Sequence, residues 1–309
     1  MNKSEQAVRL LMDLEFRVLK PIKSLPPWPG ARWNALFRLV AKSQSIDPEE
    51  AFEALIPEGW CQSPWRADDS IMVRLVADSQ KKRTTESFLE ALKESHQIGE
   101  GEFVLGRSLE LVSMSIPYLG DEEESSDSTA SSQDDPSQEN PYQEDPWPPL
   151  DENLFRSEIE ALENIDSPWR LVLTSPLRIV RPANAPGFSE YSGEEYFGWP
   201  KAMEHMITRI RLPETKSEAS PSPNGNPLNI MSTQTTWRDL AYSRERQMRL
   251  GGLTGTILID GWPDSNQARR LVWGQYLGMG KNARFGFGFY RIPALDSIRS
   301  LSCFPILGK

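Results

Sequence analysis

Leu277-Gly278-Met279-Gly280-Lys281-Asn282-Ala283-Arg284-Phe285-Gly286-Phe287-Gly288-Phe289-Tyr290-Arg291 is the most informative stretch of this 309-residue chain. Four glycines, Gly278, Gly280, Gly286 and Gly288, surround Lys281 and Arg284. Glycine lets a backbone turn sharply and come close to a ligand. Clustered N–H groups beside two cations make a seat for phosphate. Upstream, Asn266 to Leu277 has helical patterning, and downstream Phe287 to Ile292 suits a strand. The unit therefore reads helix, glycine-rich loop, strand. The two common nucleotide loops run the other way, from strand to helix. Their patterns are also missing: there is no Gly-Lys-Ser/Thr ending and no G-x-G-x-x-G spacing. Spacing alone leaves two readings, a phosphate seat or glycines that permit a tight turn before a final strand.

The neighbouring elements place this loop in a pattern. Trp169 to Val180 reads as a strand broken at Pro176, and Glu194 to Arg211 as largely helical. Thr235 to Tyr242 and Leu253 to Ile259 read as strands. With the helix and strand that flank the glycines, the order is β-α-β-β-α-β, the ferredoxin-like arrangement. In the first half, Met12 to Ile22 begins with strand-like alternation and stops at Pro26-Pro27-Trp28-Pro29-Gly30. Ala31 to Ser43 carries a helical stripe of Trp33, Leu36, Phe37, Leu39 and Val40. Pro48 to Leu55 reads as a short helix, Ile71 to Ala77 as a strand, and Thr84 to His96 as a helix capped by Thr84 or Thr85. Glu102 to Ser115 supplies one or two strands. Setting the short helix aside, this half reads β-α-β-α-β. The expected fold class is α+β, with two tandem ferredoxin-like domains built on antiparallel sheets.

Charge marks the division. Residues 121–152 hold twelve Asp and Glu and no Lys or Arg. The net charge is -10, but without those twelve the remaining 32 carboxylates face 34 cations. The rest of the chain is slightly basic, and cation clustering decides whether it suits nucleic acid. Such a polar, acidic stretch buries too little surface to offset its ordering entropy. The expected organisation is an N-terminal domain over 1–118, an acidic flexible linker or insertion over 119–152, and a C-terminal domain over 153–309. Residues 214–227 read as a long loop. Two widely separated cysteines, Cys61 and Cys303, exclude a disulfide scaffold or a cysteine zinc site. No apolar run reaches the ~18 residues of a membrane span, and Met1 to Arg9 lacks a signal-peptide stretch. A cytoplasmic protein without metal or cofactor is expected.

Four blocks carry a resemblance. They are Thr174-Ser175-Pro176-Leu177-Arg178-Ile179-Val180-Arg181, Trp237-Arg238-Asp239-Leu240-Ala241-Tyr242-Ser243-Arg244-Glu245-Arg246, Met248-Arg249-Leu250-Gly251-Gly252-Leu253-Thr254-Gly255, and the glycine loop. In this order and spacing they resemble the C-terminal domain of the CRISPR precursor-RNA processing endoribonucleases, the sixth family of CRISPR-associated proteins, in the RAMP superfamily. The resemblance covers residues 169–292. The first half matches it only through Leu25-Pro26-Pro27 and Gly30 followed by a helix. It implies two ferredoxin-like domains facing each other across a cleft and binding of CRISPR repeat RNA. It also implies one metal-independent cut, in which the 2′-hydroxyl attacks its neighbouring phosphate to leave a 2′,3′-cyclic phosphate. The nucleophile then belongs to the substrate. The protein need only align it, move protons and stabilise the phosphorane.

The candidate RNA contacts are Gly278, Gly280, Lys281, Asn282, Arg284, Gly286 and Gly288 in the loop, with Arg178, Arg181, Arg244, Arg246 and Arg249 nearby in sequence. Many members of the resembled family use a histidine near the first helix. Here that helix offers Arg32, Arg38, Lys42 and Ser43 instead. Arg38 and Lys42, one helical turn apart, are the candidates for neutralising the scissile phosphate. His96 is a candidate base, and His205 reads as a structural helix residue. Two other readings stay open: an RNA-holding subunit of a CRISPR effector complex that does not cut, and an α+β scaffold whose acidic segment recruits a basic partner.

Overall fold

Alternation along Arg9–Val18 (β1) sends Leu10, Met12, Leu14, Phe16 and Val18 to one face, and all five are buried in a single core. A computed structural model describes residues 9–22, 30–57, 65–94, 105–115, 152–210, 212, 228–243 and 248–299. Helix α1 (Gly30–Ser43) lays Trp33, Leu36, Phe37, Val40 and Ala41 on that face. Phe37 meets both Phe16 and Trp33, at 6.3 and 6.2 Å between ring centroids. Helix α2 (Pro48–Ala51) starts at Asp47, whose carboxylate accepts the Glu49 N–H at 2.9 Å. Strands β2 (Ala54–Pro57) and β3 (Ser70–Asp78), helix α3 (Lys82–Lys93) and strand β4 (Leu109–Ser115) follow. The sheet order is β2-β3-β1-β4, antiparallel throughout.

Three sequence expectations change here. The segment 48–55 is not one helix but a single turn followed by β2, so this unit too is β-α-β-β-α-β. Neither Thr84 nor Thr85 caps α3. The helix follows a 3-10 turn, Ser79–Lys81, capped by Asp78, and buried Thr85 gives its hydroxyl to the Ala51 and Lys81 carbonyls. The helix ends at Lys93. His96 lies outside the described residues, as do Cys61, Cys303, residues 119–151 of the acidic segment, and the 214–227 loop.

The second unit repeats the plan after an additional helix, α4 (Arg156–Glu163). Strand β5 (Trp169–Leu177), helix α5 (Ala202–Thr208), strands β6 (Asn229–Ser243) and β7 (Met248–Asp260), helix α6 (Ser265–Leu277) and strand β8 (Tyr290–Arg291) form the sheet β6-β7-β5-β8 with its helices. This is the same strand permutation as in the first unit. Residues 194–211 are less helical than their pattern suggests: a 3-10 turn, Glu194–Gly198, precedes a helix of only seven residues. Pro176 does not end β5. It lies inside the strand, where the pairing with β7 shifts register between Leu173 and Leu177. A proline lacks the N–H that a ladder needs, so the ladder opens around it. The freed Pro176 carbonyl accepts the Gly288 N–H at 2.8 Å. The last strand is shorter than the sequence suggests, because left-handed Gly288 (φ 80°) breaks it below Tyr290. Helix α6 opens with a capping box between Asp264 and Gln267. Leu11, Ala54 and Val76 of the first sheet join the core of the second unit. Among the described residues no helix is long and apolar enough to cross a membrane.

Candidate nucleic-acid interface

The glycine loop is pinned before it meets any ligand. Gly278 donates to Gly274 O at 3.0 Å, Gly280 to Arg209 O at 3.3 Å, Gly286 to Ala283 O at 2.8 Å and Gly288 to Pro176 O at 2.8 Å. Lys281 donates its N–H to Arg178 O, and Met279 to Gly288 O, both at 2.8 Å. Gly280 (φ 85°) and Gly288 (φ 80°) take backbone shapes that side chains disfavour, and a Cβ on them would fall on the carbonyls of Arg178 and Met279. All four glycine amides are therefore engaged inside the protein. The spacing suggested that the glycines supply backbone donors for phosphate; their amides instead serve the protein's own carbonyls. Lys281 is exposed, and Asn282, in the left-handed region at φ 70°, starts the short turn Ala283–Phe285.

That turn meets the first unit. The Arg284 guanidinium pairs with the Glu49 carboxylate of α2 and donates to the Glu49 carbonyl at 3.2 Å. Asn34 of α1 donates its side-chain N–H to the Arg284 carbonyl at 3.2 Å. Arg38, also on α1, reaches the same Glu49 carboxylate at 3.6 Å. Two guanidiniums thus converge on one carboxylate where α1, α2 and the loop meet. Burial first, and the Arg38 charge second, pull Arg284 below the usual guanidinium range, while Asp47 opposes them. A cavity of about 120 Å³ lies beside this pair, lined by Arg9, Glu49, Glu53, Ala54, Leu277 and Arg284 among others. Lys42 is exposed on α1, one turn beyond Arg38.

The arginines that follow β5 face a different task. Arg178 stacks on the Tyr191 ring at 3.7 Å, and its backbone bridges Gly280. Arg181 closes its own loop, donating to Ser189 O at 2.8 Å and Ala185 O at 2.6 Å. Strands β6 and β7 extend past β5. Strand β7 pairs with β5 only from Leu253 to Ile259, whereas β6 and β7 stay paired as far as Ser243 and Met248. The projecting ribbon carries Arg238, and Arg249 stands opposite Ala241. Arg244 and Arg246 lie outside the described residues.

His205 is half-buried on α5. Arg209, one turn on, donates to its Nε2 from Nε at 3.1 Å and approaches it with Nη2 at 3.0 Å, and the Tyr196 hydroxyl lies 2.6 Å from Nδ1. Arginine has only donors, so neutral His205 carries its proton on Nδ1 and gives it to Tyr196, which donates in turn to Ala202 O at 3.2 Å. Burial first, then the Arg209 charge, lowers the His205 pKa. The network braces the end of α5 whose Arg209 carbonyl holds Gly280. Among the described residues no group of three or more His, Cys, Asp or Glu is placed to hold a metal ion.

Glu49 and Asn34 were missed by sequence reasoning. Nothing in local spacing links either to a loop more than two hundred residues away. The Tyr196–His205–Arg209 cluster left a faint trace, since His205 and Arg209 are four apart on a helix.

No family model and no curated protein matches this sequence. Solved structures do. A chain of a partial Cas6-RT-Cas1–Cas2 complex overlays with a TM-score of 0.58 at 13% identity, over 94% of this chain and 46% of that one. A chain of a Cas6-RT-Cas1–Cas2 complex gives the same TM-score of 0.58 and 13% identity, over 94% of this chain and 29% of that one. The fold resembles part of a chain from these complexes. Thermus thermophilus Cas6 overlays more loosely, with a TM-score of 0.47 at 13% identity over 93% of this chain and 98% of that one. The chain spans less than half the length of the first two chains it matches.

Proposed function

We propose that this protein binds CRISPR repeat RNA and cuts the precursor transcript once, without metal, by 2′-hydroxyl attack to leave a 2′,3′-cyclic phosphate. The observation that carries the reading is the seam itself. A loop bearing Lys281 and Arg284 is held against α1, which bears Arg38 and Lys42, in a Cas6-like fold that covers 94% of the chain. In this reading Lys281 and Arg284 hold phosphates by charge. Arg38 and Lys42 orient and neutralise the scissile phosphate, and the β6–β7 ribbon adds further cations. A cation stabilises a phosphorane well, although an unshifted lysine is a poor base near pH 7. Other CRISPR effector subunits are natural partners for the product complex.

A second reading is favoured by one observation: α1 carries no histidine. The protein then holds repeat RNA without cutting it. Incubating the full chain with repeat RNA in EDTA separates the two. One cut leaving a cyclic phosphate, abolished by a 2′-deoxy substitution at that site, supports the nuclease. Tight binding without any cut supports the holder, and absence of binding at low salt ends both.

A further inference from the structure

Phe188 is 106% exposed, whereas the other exposed large apolar side chains among the described residues, Leu19, Leu39, Val112, Met231 and Ile298, range from 39% to 61%. Scattered, partly exposed apolar residues are ordinary on a protein surface. A phenylalanine with its whole ring in water is different, because a ring of that size gains most from being covered. The segment that carries it is braced. Arg181 bonds the carbonyls of Ala185 and Ser189 on either side of the tip, and its own N–H bonds Glu190 O at 2.9 Å. Val180 bridges Tyr191, and Ser192 donates to Ile179 O at 2.9 Å. Gly187, at φ 109°, makes the turn just before the ring. The protein thus fixes the backbone on both sides of a side chain that it does not itself use.

The base of the same hairpin is Arg178, whose carbonyl accepts the N–H of exposed Lys281 and whose guanidinium lies on Tyr191. A cationic seat and a bare aromatic ring therefore share one braced strip. We propose that Phe188 is a stacking platform for an unpaired base of the bound RNA, at the tip of the hairpin whose base is tied to the Lys281 backbone. The inference rests on the RNA-binding reading and adds a base contact to its phosphate contacts. Stacking tolerates any base, since every base has a π-face. Phe188 therefore strengthens binding to single-stranded flanks without reading sequence.

The test measures affinity of the full chain for repeat RNA with unpaired flanks, and for the same RNA carrying single abasic sites. Phe188→Leu keeps an apolar side chain but removes the π-face, and is expected to weaken binding roughly 5- to 100-fold. Phe188→Trp is expected to retain wild-type affinity. The salt slope stays unchanged, because no phosphate contact is lost. One abasic position costs wild type the same factor and costs Phe188→Leu nothing more. Melting temperatures of the variants match wild type, because the ring touches nothing. If Phe188→Leu binds as wild type, or if Trp and Leu are equally weakened, stacking is wrong while RNA binding stands. If wild type binds no RNA at low salt, the functional reading itself fails and takes this inference with it.

Discussion

Glu49 of α2 and Arg284 of the glycine loop, 235 residues apart, form an ion pair that closes the seam between the two halves of the chain. Glu49 occupies the position against Arg284 and Arg38 that an RNA phosphate takes in the proposed complex. Phosphate must displace it. Replacing Glu49 with Gln is expected to raise repeat-RNA affinity about 3- to 10-fold, in keeping with the modest worth of a half-exposed ion pair. Binding titrations at fixed salt check this. A weaker complex would mean that Glu49 holds the loop in its binding shape.

Lys281→Ala removes one exposed cation and leaves the loop's backbone bonds in place. The log–log salt slope of RNA binding is expected to fall by about 0.7 to 0.9 units. Affinity measured at several salt concentrations gives the slope directly, and an unchanged slope removes Lys281 from the interface.

Gly288→Ala addresses the fold rather than the ligand. The new methyl meets the Met279 carbonyl on a backbone at φ 80°. A cost of about 1–3 kcal/mol is expected from forcing a side chain into that region, more if the carbonyl cannot yield. Denaturant unfolding of the two proteins tests it. An equal midpoint would show that the loop relaxes freely.

Arg38→Ala and Lys42→Ala are expected to lower cutting at saturating protein by roughly 100-fold or more while repeat binding stays nearly intact, as for loss of a transition-state donor. Normal cutting by both variants moves the chemistry away from α1.

His205 gives a pH signature. Its folded pKa lies below the ordinary 6.5, so the unfolded chain binds the proton more readily. The stabilisation is fully present above about pH 6.5 and is lost as pH falls through the lower folded value. Melting temperatures of wild type and His205→Gln are therefore expected to draw together as the solution is acidified from pH 7.5. A gap that widens toward acid contradicts the assigned neutral tautomer.

The order of the second unit was legible: its strands and the helix before the glycines stand where their patterns place them, and the glycines mark the last turn. Helix α4 was not read, and 194–211 holds a helix of only seven residues. Strand β2 was not legible, because four residues directly after a one-turn helix leave no room for a period to emerge. The two threonines at 84 and 85 looked like caps, yet tertiary packing buried Thr85 against the Ala51 carbonyl. The cations of the candidate site were visible as residue types. What occupies them was not, since Glu49 and Asn34 reach the loop only through the fold. Glycine spacing also fails to distinguish a backbone that approaches a ligand from one that approaches its own carbonyls.

The engagement of the glycine amides has a bearing on what the motif reports. Replacing the Lys281 side chain leaves the loop's backbone bonds in place, while Gly280 and Gly288 change only at the expense of the folded unit. A chain of this architecture therefore needs these two glycines whatever ligand it takes, so the glycines report the fold and any activity is to be sought in the charged residues between them.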